Sequence, residues 1–161
     1  MDAGLLDDPD DLSKINISGN ATVSGGATVT GRAKVSGNAK VFGNANVGYD
    51  ASVSGDAKVY GNARVYSNAE VWDNALVYGD AMVTGRAKVY GRAKMSGNAV
   101  VSGDAEVYGD AHVYGRAVVS GHAKVYGNAD ISGTARILGG DWDGSEGPIT
   151  SGKWMAPGVP A

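Results

Sequence analysis

The sequence contains no cysteine, and this absence excludes three kinds of chemistry. A chain of 161 residues without cysteine has no disulfide scaffold, no thiolate metal site and no cysteine nucleophile. Its composition is otherwise lopsided, with 26 glycines against 4 prolines and a single phenylalanine. The length suits one domain with one hydrophobic core.

Strong positive charge and long apolar runs are also missing. The net charge is −3, whereas a general nucleic-acid binder normally has a basic excess, so we expect no nucleic-acid partner. No apolar run approaches the ~18–20 residues that cross a bilayer, so we expect no membrane partner. The chain begins MDAGLLDD, which is acidic where a secretory signal is basic. These features predict a cytoplasmic protein or a part of a phage or non-classically exported assembly.

The dominant feature is a repeat of six residues. From Gly19 to Leu138 the chain reads as twenty consecutive hexads of the form Gly-Asn-Ala-x-Val-x, without insertion or deletion. The third position is always Ala. The fifth position is Val except at Met95, Ile131 and Ile137. The first position is Gly in seventeen of the twenty hexads, and the exceptions are Tyr49, Ser67 and Asp73.

This pattern predicts short stacked strands. Ala and Val lie two residues apart, so in an extended segment both point to the same side. Gly accepts a positive φ and Asn tolerates the left-handed region, so the Gly-Asn pair predicts a corner. Each hexad is therefore predicted to be a four-residue strand followed by a two-residue corner. Because so short a strand buries too little surface alone, it must stack on copies of itself.

An aliphatic residue followed four positions later by a small one, at a period of six, resembles the hexapeptide-repeat proteins. The resemblance implies an all-β fold, the left-handed parallel β-helix, in which three hexads form one triangular coil. We expect about six to seven coils and a prism roughly 30 Å long, because stacked strands lie ~4.8 Å apart. Dense repeats of this kind are similar to uncharacterised repeats in bacterial and phage-related proteins, which implies a spacer, a fibre segment or an adhesion platform.

Every third hexad then belongs to one face, and two faces carry aromatic columns. Rings one coil apart are expected to stack into ladders that stabilise the solenoid. The same rings are also candidates for a platform that binds carbohydrate or a partner protein. The platform candidates are Tyr60, Tyr78, Trp72, Tyr90, Tyr108 and Tyr126.

The remaining face carries a smooth apolar strip. Met82, Val100 and Val118 point outward there between Arg64 and Arg136, with small neighbours beside them. We interpret the strip as a contact surface, either the seam of a homotrimer, as the resemblance implies, or the dock of a terminal tail. A merely tolerated apolar patch is the alternative.

The chain ends depart from the repeat and predict three segments. Residues 1–16 are acidic and are expected to cap or flank one end of the solenoid, which spans 17–138. Residues 139–161 are rich in Gly and Pro and are expected to form a second cap or tail. Trp142 and Trp154 are the candidates to plug the apolar end of the prism.

Catalysis has only weak candidates. Hexapeptide-repeat acyltransferases, as the resemblance implies, use a histidine as general base and a loop or appended helices to hold the acyl donor. Here no loop interrupts the hexads, and the only histidines are His112, in a strand, and His122, at a corner where Asp104 could orient it. Carbonic anhydrases of this fold bind their metal through three histidines, so one ligand is missing. We therefore expect no metal and no cofactor.

The sequence favours a non-catalytic solenoid rod that serves as a scaffold, a spacer or a self-assembling fibre element. Self-association as a homotrimer or by end-to-end stacking is expected. A carbohydrate- or protein-binding module that uses the aromatic ladders is the first alternative. A trimeric acyltransferase or metal enzyme that uses His112 or His122 is the second.

Overall fold

The structure, a computed structural model, describes residues 16–155. Over this range the chain forms strands of two residues each and no helix, so no helix there is long and apolar enough to cross a membrane. The predicted acidic cap, apart from residue 16, lies outside the described residues, and so do the last six residues of the predicted C-terminal tail.

The strands form three parallel sheets, each made of every third strand. Sheet 1 contains β1 Asn16–Ile17, β4 Lys34–Val35, β7 Ser52–Val53, β10 Glu70–Val71, β13 Lys88–Val89, β16 Glu106–Val107, β19 Lys124–Val125 and β22 Asp141–Trp142. Sheet 2 contains β2 Thr22–Val23, β5 Lys40–Val41, β8 Lys58–Val59, β11 Leu76–Val77, β14 Lys94–Met95, β17 His112–Val113 and β20 Asp130–Ile131. Sheet 3 contains β3 Thr28–Val29, β6 Asn46–Val47, β9 Arg64–Val65, β12 Met82–Val83, β15 Val100–Val101, β18 Val118–Val119, β21 Arg136–Ile137 and β23 Lys153–Trp154.

The predicted all-β, three-sided parallel solenoid is confirmed. Within the repeats each residue pairs with the residue three hexads further along, as Glu70 does with Lys88. The sheets have 8, 7 and 8 strands, which makes about eight coils rather than six to seven. The difference arises because β1, β22 and β23 extend the stack beyond the hexads. The left-handed winding stays a prediction from the resemblance.

The regular strand segments are shorter than predicted. Each covers only the two residues x-Val, not the four residues Ala-x-Val-x. Hydrogen bonding between coils nevertheless reaches further, because the residues that flank each strand pair also take part. For example, Ser24 donates its N–H to the carbonyl of Val41 at 3.0 Å, and Thr22 donates to the carbonyl of Ala39 at 2.9 Å.

The corners are tight turns that need the left-handed backbone region. Gly19 has a φ of 69°, and the N–H of Ala21 closes the turn onto the carbonyl of Ser18 at 3.4 Å. Consecutive coils also approach closely at these positions. A Cβ on Gly85 would lie 2.9 Å from both the nitrogen and the oxygen of Gly103. Glycine therefore serves both the dihedral angle and the coil spacing.

The Ala and Val columns form the core. From Ala33 to Val125 every residue of both columns has an exposed fraction of 0%. The first coil is less covered, and Ile17 is 47% exposed there. The interior is filled by the Ala column and by the Val column, in which Met95, Ile131 and Ile137 replace Val, so each coil buries its apolar surface against its neighbours.

We expect Gly85→Ala to lower the free energy of unfolding by more than about 2 kcal/mol, because it forces an L side chain into the left-handed region and against the next coil. Ser67→Gly is the matched control, since Ser67 lies on the same edge one coil earlier with a φ of 62°. That change should raise the free energy of unfolding by up to about 1 kcal/mol. Urea unfolding followed by circular dichroism measures both, and a Gly85→Ala variant as stable as the parent would contradict the assignment.

Candidate functional site

Sheets 1 and 2 each carry an aromatic ladder on their outer surface. In sheet 1 the ring centroids of Trp72 and Tyr90 lie 4.4 Å apart, followed by Tyr108 and Tyr126 at 4.9 and 5.1 Å. In sheet 2 the separations are 4.9 Å from Phe42 to Tyr60 and 5.0 Å from Tyr60 to Tyr78. All these pairs are within 6° of parallel. The structure therefore brings the predicted platform residues together as stacked columns.

The stacking limits what the ladders can offer a ligand. Each interior ring, such as Tyr90 or Tyr108, has a neighbour on both of its faces. Stacking of a sugar needs a free aromatic face, and within a ladder only the end rings retain one. The rings are half-buried, which fits a role in covering and stabilising the sheets. Binding of carbohydrate or protein along the ladders stays a prediction.

Tyr90 is held in its neutral form by its surroundings. Burial raises the pKa of Tyr90 to about 12, and the negative charge of Glu106 adds to the effect. The phenol donates a hydrogen bond to Oε2 of Glu106 at 3.2 Å. Burial likewise raises the pKa of Tyr60 and of Tyr108.

The predicted apolar strip is assembled by the register of sheet 3. Met82 pairs with Val100, and Val100 pairs with Val118. Arg64 lies one coil before the strip and Arg136 one coil after it. All three apolar side chains are half-buried in the isolated chain, whereas both arginines are exposed. The outward residues beside the strip are Thr84, Ser102 and Ser120, so no aromatic ladder covers this part of the sheet.

Polar rows run along the corners. The side-chain amide of Asn38 donates to Asp56 at 3.0 Å, and that of Asn62 donates to Asp80 at 3.0 Å. Bidentate ion pairs also connect corners of consecutive coils. They are Arg32–Asp50, Arg86–Asp104 and Arg92–Asp110, with Nε to Oδ1 distances of 2.8, 2.7 and 2.9 Å. Charges of opposite sign therefore hold neighbouring corners together.

The two histidines lie apart, on different surfaces. His112 is in sheet 2 between Lys94 and Asp130. His122 is at a corner with 87% of its side chain exposed, and its Nδ1 lies 3.7 Å from Asp104, which already binds Arg86. Within residues 16–155 no three His, Asp or Glu side chains are grouped to bind a metal ion.

The C-terminal end of the prism is covered by three large apolar residues, one above each sheet. Trp142 pairs with Val125 on sheet 1, and Trp154 pairs with Ile137 on sheet 3. Ile149 bridges to Ile131 on sheet 2. The two indole rings meet edge to face at 5.8 Å. The sequence pointed to both tryptophans but not to Ile149, which continues the aliphatic column one full coil after Ile131.

The corner at Tyr49 was also missed by the sequence analysis. Tyr49 and Tyr66 meet edge to face, at 5.9 Å between centroids and 88° between planes, outside either ladder. They border an open hollow that is also lined by Thr30, Gly31 and Asn46. The signal was present, because Tyr49 is one of the three residues that replace Gly in the first column.

We expect stability to fall between about pH 10 and pH 12, because Tyr90 keeps its proton in the folded chain while the unfolded chain releases it near pH 10. The raised pKa thus contributes stability that is fully present below pH 10 and is lost as pH rises through the folded value. Tyrosinate absorbance during an alkaline titration measures this, and Tyr90→Phe should remove a late-titrating component. Glu106→Gln should shift that component to lower pH. A titration curve unchanged by either variant would contradict the assignment.

A comparison with family models matches residues 17–31 to one described as the YdcK beta solenoid repeat. No curated protein matches the chain. The matched residues include β2, β3 and the end of β1, and therefore span about one coil. Together with the three parallel sheets, this similarity identifies the chain as a repeat-based parallel β-helix protein.

Proposed function

We propose that the protein is a rigid, non-catalytic rod that associates side by side with further copies of itself through the apolar strip Met82, Val100 and Val118. The observation that carries the proposal is the in-register alignment of these three residues on sheet 3. An outward apolar row flanked by small side chains suits packing against another flat sheet, where facing surfaces lie ~10 Å apart.

Rigidity is supported by the links between coils. Backbone hydrogen bonds join each coil to the next along the described solenoid, and aromatic ladders and corner ion pairs add side-chain links. A solenoid without a hinge holds its two ends at a fixed distance, which is the property required of a spacer or scaffold.

The covered end favours lateral over end-to-end association. A head-to-tail stack needs strand edges and an apolar end surface that are free to receive the next molecule. Here Trp142 and Ile149 are buried, and only the 40% exposed Trp154 leaves apolar surface open, over sheet 3. The side surface of sheet 3 has no such cover within the described residues. A homotrimer around this seam is the assembly that the hexapeptide-repeat resemblance implies.

The arginines at both ends of the apolar strip restrict the proposed contact to the middle of the strip. Arg64 and Arg136 are exposed and charged, and burying either without a partner would be costly. The contact is therefore expected to centre on Val100, with the two guanidinium groups remaining in water at its margins.

The positions of the histidines do not favour catalysis. His122 is almost fully exposed on a corner, and Asp104, the residue that could orient it, is already held by Arg86. A general base needs a positioned substrate and an orienting partner. His112 is paired in a surface column between charged neighbours.

Replacing both Val100 and Val118 with Lys should reduce the oligomer to a monomer, because the change places two charges per subunit in the seam. Leu76→Lys is the matched control, since Leu76 is an outward, half-buried apolar residue of sheet 2. It should leave the assembly intact. Light scattering over a range of concentrations measures the mass. A parent protein that is monomeric throughout, or a double variant with unchanged mass, would refute the proposed seam.

A further inference from the structure

The coil that contains Gly48 and Tyr49 departs from the regular repeat. Tyr49 occupies a position that is Gly in seventeen hexads, and its φ is 61°. The left-handed region disfavours a bulky L residue, so this backbone is strained. Burial does not offset the strain, because Tyr49 is 67% exposed. A strained and exposed aromatic residue suggests a function outside the fold itself.

Gly48 lets the side chains of the neighbouring coils pack closely beside this tyrosine. It stands at an outward position that carries Thr30 one coil earlier and Tyr66 one coil later. A Cβ at residue 48 would lie 2.9 Å from Oγ1 of Thr30 and 3.2 Å from the ring of Tyr66. Even an alanine side chain at residue 48 would therefore displace Thr30 or Tyr66, and both of these residues line a hollow of about 430 Å³.

A buried polar atom lies at the same place. Oδ1 of Asn46 is buried and has no hydrogen-bond partner, although Asn46 lines the hollow. Buried polar atoms normally have a partner, so this unpaired amide oxygen marks an irregularity in the packing of the wall of the hollow. None of the hollow's lining residues, Thr30, Gly31, Asn46, Tyr49 and Tyr66, carries a charged group at neutral pH.

We propose that this hollow binds one pyranose ring of a neutral carbohydrate. A sugar presents a C–H face that packs on an aromatic ring and hydroxyl groups that donate and accept hydrogen bonds. Tyr49 supplies exposed aromatic surface that the interior rings of the stacked ladders lack. Thr30 supplies a hydroxyl, and Asn46 adds a polar side chain to the lining.

The site is separate from the proposed seam. Residues 46–49 lie two coils before Met82 on the same sheet, on the far side of Arg64. Each binding function can therefore fail without the other, and the oligomeric state reports on the seam independently.

The full chain, labelled with ¹³C on its tyrosine rings, should be titrated with cellotetraose, chitotetraose, mannobiose and lactose and followed by NMR. These probes present glucose, N-acetylglucosamine, mannose and galactose rings. At least one probe should shift the ring signals of Tyr49 and Tyr66 saturably at millimolar concentration. If none of the four probes shifts these signals, the proposal is overturned. The same result is expected if the hollow binds a protein partner instead of a sugar.

Tyr49→Gly separates binding from folding. It restores the residue type of the other corners, so the melting temperature should rise by roughly 2–4 °C. Affinity for the responsive sugar should fall by at least about tenfold. Asn46→Leu should lower the affinity as well, because it removes a polar side chain that lines the hollow. Tyr114→Ser, at the 40% exposed Tyr114 of sheet 2, should leave the affinity unchanged. Undiminished binding by Tyr49→Gly would overturn the proposal.

Discussion

Pairing of each residue with the residue three hexads later is the constraint on which the rest of the structure depends. Parallel backbone hydrogen bonds maintain this register from Ser18 onward, where N–H groups of one coil meet carbonyls of the next. Within the hexads this register is uniform, because every coil has the same length and every corner has a residue in the left-handed region. No insertion interrupts the hexads between Gly19 and Leu138.

The same register determines the chemistry of the surface. Positions one coil apart form columns, so any residue type that recurs at that spacing becomes a ladder, a row of ion pairs or a strip. Aromatic columns on sheets 1 and 2 cover the backbone with rings that stack on one another. Alternating corner charges attract from coil to coil, as between Arg86 and Asp104. These regular columns chiefly stabilise the solenoid. The better candidates for binding surfaces are the places where the residue type of a column changes.

Two such changes occur on sheet 3. The outward column turns from Arg64 to the apolar strip and back to Arg136, which bounds a region suited to a second copy. Further toward the N-terminus, Gly48 and Tyr49 interrupt the columns beside a hollow that is lined by Asn46, Tyr49 and Tyr66. Both changes lower the stability of the isolated chain, either by exposing apolar surface or by straining the backbone, and a binding role is proposed for each.

The fold and the columns could be predicted because the hexad pattern encodes them directly. Invariant Ala and nearly invariant Val placed the core, and spacing alone aligned Met82, Val100 and Val118. The strand pairing at the C-terminal end was harder to predict from the sequence. There Val125 pairs with Trp142 and Ile137 with Trp154, at a spacing one residue shorter than three hexads. The hollow at Tyr49 depends on how Thr30, Asn46, Tyr49 and Tyr66 pack across three coils. Such a space follows from packing in three dimensions and has no counterpart in residue spacing.

The coil-to-coil register itself can be measured in solution as a distance. The absence of cysteine allows spin labels to be attached selectively after Lys34→Cys and Lys124→Cys, two exposed positions of sheet 1 that are five coils apart in one column. Pulsed electron paramagnetic resonance on dilute doubly labelled chains, mixed with excess unlabelled protein, should give a narrow distribution near about 24 Å, because stacked strands lie ~4.8 Å apart. A broad distribution, or one centred far from this distance, would contradict the stacked register and every column derived from it.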